Sequence, residues 1–251
     1  MYVRYKHNEK THYGFMSDET ITRLEGDIFG QFELSGDSVP SASVTLLAPC
    51  EPTKIVCVGL NYLDHAREMN EELPKAPLLF LKPPTTVIAD RDEIVAPSDA
   101  GRLDHEGELA IVIGKMAKNV SPDEAEDVIF GFTCANDFTA RAIQLGDKQW
   151  TRGKSFDTFC PLGPGIVKEI DQNDANIQLT VNGEVRQISN INMFIFGVNE
   201  VVSYISNCMT LLPGDVILTG TPHGVGPVND GDEMEVSIDG IGTLTNRLNI
   251  A

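Results

Sequence analysis

Apolar residues in this chain fall mostly in short runs, cut every few positions by glycine, proline or charge. Residues 54–60, KIVCVGL, form a compact apolar run ending near a glycine, the pattern of a buried strand. The run Leu109-Ala110-Ile111-Val112-Ile113 has the same character, and residues 215–219 and 233–238 read as strands between glycine-rich turns. Asn182-Gly183 sits between two alternating segments and predicts a hairpin, because both residues tolerate the positive φ of the tightest turns. Helical spacing appears at Val198, Val201, Val202, Ile205 and Met209, with Pro213 closing the segment 197–211. Ser121-Pro122-Asp123-Glu124 carries an N-cap, a first-turn proline and a capping-box glutamate, and predicts a helix through about residue 130. Residues 139–144 predict another. The alternation of strand and helix needed for a doubly wound sheet is missing, so the expectation is a strand-dominated α+β fold with few helices. Ala48-Pro49-Cys50-Glu51-Pro52 reads as a connection between a small N-terminal region, 1–50, and a main body, 51–251.

Composition changes this picture little; charge changes it more. Hydrophobic residues make up 41% and the mean hydropathy is -0.10, ordinary for a globular protein. The apolar runs are strand length, too short to span a bilayer, and the N-terminus MYVRYKHNEK lacks the apolar core of an export signal. Five cysteines, an odd number with no C-x-x-C pair, fit reduced thiols; a cytoplasmic protein is expected. The formal net charge of -18 argues against nucleic acid and anionic membranes as partners, since either would meet a repelling surface.

Five stretches of the chain could carry chemistry. In Asp104-His105-Glu106-Gly107-Glu108, an extended backbone puts Glu106 and Glu108 on one side, where they repel unless a cation lies between them. The same pattern also occurs on solvated strand edges. Asp137 ends the apolar run 131–136, where a third carboxylate could approach; three oxygen donors suit a hard cation such as Mg²⁺ or Mn²⁺. Asp137 could equally cap the helix expected over 139–144. His65 and Glu68, three apart on a helical turn, could form a proton-accepting dyad or a plain surface pair, in a segment that 70–72 leaves exposed. Lys154 lies in a polar-aromatic loop that could meet a substrate carboxylate or enolate. The turn 219–226 offers hydroxyls and N–H groups, with His223 read as bonded to backbone and Trp150 and Phe156 as core or pocket wall.

Taken in order, G-L-N-Y-x-x-H-x-x-E, P-x-x-F-x-K-P, D-x-E-G-E-L, N-D-x-T-A-R, K-S-F-D and G-D-x-I-x-T-G-T-P-x-G-V-G resemble the fumarylacetoacetate hydrolase family over residues 53–248. The resemblance implies a mixed β roll with a partly closed barrel, assembled as a homodimer. It implies Glu106, Glu108 and Asp137 as ligands of Mg²⁺ (or Mn²⁺), and His65, Glu68 and Lys154 as catalytic groups. Thr221, Arg141 and Gln144 are implied to line the substrate site. His105 stands where many relatives have tyrosine, and the chain lacks the extra N-terminal domain of the longer fumarylacetoacetases. The implied activity is cleavage of a small 2,4-dioxo acid such as an acylpyruvate through a metal-stabilised enolate. Decarboxylation of oxaloacetate and isomerisation of a 2-hydroxyhepta-2,4-diene-1,7-dioate type of acid are the alternatives. Outside enzymes, a non-catalytic metal-binding protein or a Ca²⁺-holding binding module competes.

Overall fold

The computed structural model describes residues 1–70 and 72–251; Glu71, within the segment read as exposed, lies outside the described residues. Strands dominate, and helices are few. A twelve-stranded mixed sheet forms the body. Its centre runs Cys160–Val167, Ile129–Asn136, Gly107–Ile113, Val216–Leu218, Ile55–Gly59, with Leu78–Lys82 at the edge. Most neighbours are antiparallel, but Val216–Leu218 and Ile55–Gly59 run parallel. A five-stranded sheet built on Asn176–Val181 and Glu233–Ile238, and a three-stranded one around Leu103–His105, complete the fold. The large sheets stay open and do not close into a barrel. The strands of residues 1–50 continue the large sheet antiparallel through the pair Tyr2↔Ile166.

The run 109–113 is apolar at every position because both of its faces are covered. Leu109, Ile111 and Ile113 join a core with Ile177, Leu179 and Val236 of the five-stranded sheet and with Val201, Val202 and Ile205 of the helix Val198–Cys208. Ala110 and Val112 face the other way, against Ile55, Cys57, Ala135 and Val216. Side chains two apart share a face, so Glu108 follows Ala110 and Val112 to that second side.

Asn182 (φ 52°) and Gly183 (φ 80°) make the hairpin turn that joins Asn176–Val181 to Glu184–Asn190. The expected helix over 121–130 is a correction. Its capping box forms, but the segment makes only the two short 3-10 turns Pro122–Glu124 and Glu126–Val128. Ile129 already belongs to the central strand Ile129–Asn136, and the Val128 carbonyl accepts from Gly114 and Lys115 N–H across the sheet. Sheet pairing supplies more backbone hydrogen bonds here than one further helical turn would. Among the described residues, no helix is long and apolar enough to cross a membrane.

Candidate active site

One antiparallel strand pair delivers the three acids. The register Gly107↔Asn136 and Glu108↔Ala135 puts Glu106 beside Asp137, whose N–H donates to the Glu106 carbonyl at 2.8 Å. The Glu106 N–H in turn donates to Asn136 Oδ1 at 2.9 Å. A carboxylate oxygen from each of Glu106, Glu108 and Asp137 lies within 4.8 Å of the others, and all three side chains are buried. Asp137 does not cap the next helix. Thr139–Ala140 pairs with Leu103 and Asp104 as a short strand, and the helix Arg141–Asp147 begins only after it.

Three cations face these acids, unequally. Lys154, 2% exposed, donates to Glu106 Oε2 at 2.7 Å and to Asp137 Oδ2 at 2.6 Å. Lys82, at the end of the edge strand and 1% exposed, donates to Asp137 Oδ1 at 2.5 Å and to the Phe159 carbonyl at 2.7 Å. Arg141 donates from Nη2 to Glu106 Oε1 at 2.5 Å, from Nε to Asp104 Oδ2 at 2.8 Å and from Nη1 to Gln144 Oε1 at 2.5 Å. Both oxygens of Asp137 and both of Glu106 therefore have a cationic partner. Among the described residues Glu108 is paired with no cation; its Oε2 accepts the Gly220 N–H, at 2.7 Å.

The electrostatics follow from that imbalance. Burial works to raise Glu106, but Lys154 and Arg141 outweigh it and hold the carboxyl at about 2. Glu108 is pushed well above the usual carboxylate range by burial and by the charges of Asp137 and Glu106. Burial also opposes the charge on Lys154, yet Asp137 and Glu106 raise it above its ordinary value, so it stays an ammonium. A buried carboxyl that faces two others without a counter-charge either keeps a proton or accepts a cation. The all-oxygen donor set fits a hard divalent ion.

The turn after Val216–Leu218 closes one side of the site. Gly220 takes φ 98°, and a Cβ there would lie 2.8 Å from Asn61 Cβ; only glycine brings this N–H onto Glu108. Thr221 Oγ1 donates to the Gly107 carbonyl at 2.9 Å and accepts from Gln187 Nε2 at 2.8 Å. With its hydroxyl proton engaged, Thr221 offers a ligand its backbone N–H, which has no partner among the described residues. Gln187, 1% exposed, also accepts from Gly107 N–H at 2.9 Å and bonds His105 Nδ1 at 3.2 Å. Burial lowers His105, which stays neutral with its Nδ1 proton on that amide oxygen.

The helix Leu63–Met69 carries the dyad. His65 Nδ1 lies 3.0 Å from Glu68 Oε2, and Glu68 also accepts the Gly224 N–H at 3.1 Å. Ser189 Oγ donates to Asp64 Oδ2 at 2.5 Å, while His223 Nδ1 stands 3.1 Å from the same oxygen but off the hydrogen-bond axis. His223 thus faces Asp64, away from the three acids. His65, Glu106, Glu108, Arg141, Gln144, Lys154 and Thr221 all open onto one cavity of about 530 Å³. Trp150 forms part of its wall, edge-on to Phe80; Phe156 packs on Phe159 instead. Lys82 and Gln187 are site residues that the sequence reading passes over. Lys82 was visible as the lysine of the P-x-x-F-x-K-P motif, whereas nothing near Gln187 marks it.

Comparison with known proteins identifies the chain's relatives. Residues 54–249 match the family model described as fumarylacetoacetate (FAA) hydrolase C-terminal, and residues 1–49 match one described as Rv2993c-like, N-terminal. An uncharacterized protein of Methanocaldococcus jannaschii is 56% identical over 196 residues, covering 78% of this chain and 83% of that protein. A mitochondrial oxaloacetate tautomerase of Bos taurus is 44% identical, over 84% of this chain and 71% of its own length. The crystal structure of a 5-carboxymethyl-2-hydroxymuconate delta-isomerase from Mycobacterium smegmatis superposes with a TM-score of 0.94 at 41% identity, over 100% of this chain and 99% of that one.

Proposed function

The chain belongs to the fumarylacetoacetate hydrolase family, and from that premise we propose that it moves a proton at C3 of a small 2-oxo or 2,4-dioxo acid, interconverting keto and enol forms. Glu106, Glu108 and Asp137 are the proposed holders of Mg²⁺ or Mn²⁺. The observation that carries the reading is Glu108, buried 4.8 Å or less from two further carboxylates and, among the described residues, in no ion pair. Bound there, a divalent ion would supply a Lewis acid that lowers the cost of negative charge on the substrate's 2-oxo oxygen.

The chain's own groups do the rest. Glu68 accepts the Nδ1 proton of His65, which fixes the tautomer with a free Nε2 toward the cavity. That nitrogen takes the proton from C3 and returns it. Lys154 is held as a cation by Glu106 and Asp137, so it serves as a fixed positive charge beside the acid head and not as the base. Arg141 and the Thr221 N–H are the proposed anchors of the C1 carboxylate, with Gln144 orienting Arg141. The relatives named as a tautomerase and an isomerase support this proton-transfer reading. The test is exchange of C3 hydrogens of a 2-oxo acid in D₂O with Mg²⁺, followed by NMR. His65→Asn is expected to slow exchange by about 10²–10⁴-fold; exchange at the wild-type rate in that variant would overturn the base assignment.

Hydrolysis of an acylpyruvate is a second reading, favoured by the water access of the dyad: the Glu68 side chain is 41% exposed and that of His65 16%. Here His65 takes a proton from water, the oxygen adds to C4, the C3–C4 bond breaks with its electron pair left on C3, and the proton held by His65 returns to C3, giving pyruvate and a carboxylic acid. Decarboxylation of oxaloacetate would need no such water. Incubation with 2,4-dioxopentanoate separates the readings: pyruvate and acetate in equal amounts mark hydrolysis, and C3 exchange without cleavage marks tautomerisation.

A further inference from the structure

We propose that the far end of the catalytic cavity takes an uncharged, apolar substituent of the 2-oxo acid, and that a second carboxylate is disfavoured there. The orientation of the acid head in this proposal rests on the function proposed above. The cavity's permanent cations, among the described residues, are Arg141 and Lys154, and both touch Glu106. Positive charge is therefore gathered at the end with the three acids. The apolar walls are Val58, Leu78, Phe80, Trp150, Met69 and Leu145; Phe80 lies under Lys154 Nζ, 5.3 Å from its ring centre, whereas Met69, Leu78 and Leu145 stand at the exposed mouth. Among the described residues, the other charged group lining the cavity, besides the acids, those two cations and the dyad histidine, is an acid, Glu72. A carboxylate placed beside it would gain no counter-ion and meet a like charge.

Size points the same way. Cavities of about 300–1,000 Å³ enclose drug-sized ligands, and this one, at about 530 Å³, has room beyond a four-carbon acid. Leu145 is 72% exposed, Met69 54% and Leu78 50%, all lining the same cavity. Three large apolar side chains left in water at the mouth of a polar site gain most when an apolar ligand chain covers them.

Two unreactive analogues of the acid head, N-butyloxamate and N-(2-carboxyethyl)oxamate, differ at the far end chiefly by the second carboxylate. Calorimetry in the presence of Mg²⁺ is expected to give tighter binding of the butyl compound by roughly 10-fold or more. Equal affinities, a preference for the diacid, or failure of both to bind would overturn the proposal. Leu145→Arg, a change at an exposed position, is expected to reduce that ratio by about 10-fold, and an unchanged ratio would remove Leu145 from the subsite. The C3 exchange assay is independent of these affinities. A butyl preference without exchange leaves the subsite standing and removes the catalytic reading, whereas exchange with a diacid preference does the reverse.

Discussion

At the scale of single residues, the site is an exercise in charge matching with one deliberate gap. Lys82 and Lys154 divide the two oxygens of Asp137 between them, so Lys82→Met would free one oxygen and bury a carboxylate with less compensation. Calorimetric titration is expected to show Mg²⁺ affinity falling by about 10–100-fold. Thermal unfolding of the same variant should show a loss of roughly 3–5 kcal/mol. The gap at Glu108 has a pH signature. Its folded pKa is raised, so its contribution to stability is present below the unfolded value of about 4.3 and is lost as pH rises through the folded value. Glu106 behaves oppositely: held at about 2, it stabilises the fold above that unfolded value and loses this as pH falls toward 2. Binding of Mg²⁺ must displace the proton on Glu108, so apparent affinity should drop by about tenfold per pH unit below its pKa. Titrations in two buffers of different ionisation heat would check this through the protons released. The acids, the dyad and Lys154 were legible in the sequence because each stands in a recognisable local pattern. Gln187 was not, because its partners Gly107, Thr221 and His105 are brought to it only by the fold.

At the scale of elements, local turn chemistry was readable and strand partnership was not. Asn182-Gly183 dictates its hairpin by conformational preference alone, and the helix over 197–211 appears as Val198–Cys208 because its buried stripe is periodic. The capping box at Ser121 is equally genuine, yet the helix it announces stops after two short turns. A competing demand from the sheet, invisible in the local sequence, decides the outcome at Ile129. The dyad helix Leu63–Met69 shows the reverse dependence. At seven residues it is shorter than the roughly 12–15 that isolated helices need in water, so its contacts to Ser189 and Gly224 hold it in place. Ser189→Ala is therefore expected to speed amide hydrogen exchange over 63–69 several-fold while leaving the global melting temperature nearly unchanged. An unaltered exchange rate would show that Glu68 and the packing of Ala66 suffice.

At the scale of the molecule, the strands of residues 1–50 and those of the sheet that carries the three acids are one continuous surface. Calorimetric heating should accordingly give a single transition, and two resolved peaks would show that the N-terminal strands melt alone. The charge of -18 adds self-repulsion that salt screens. Raising KCl from about 0.05 M to about 1 M is expected to raise the melting temperature, and a flat response would show that the acids are already balanced by their arrangement. The overall class was predictable from apolar periodicity, but the order of strands in the sheet was not, since nothing local tells Gly107–Ile113 to lie between Ile129–Asn136 and Val216–Leu218. That placement has a consequence for how such a protein can diversify. The proposed seat of the ion lies on two adjoining central strands, while the proposed proton carrier rides on a short helix tied down by a few contacts. On that proposal, mutation can reshape what the helix and the cavity mouth select without disturbing the ion's seat, so new substrates are reachable by small steps at the periphery.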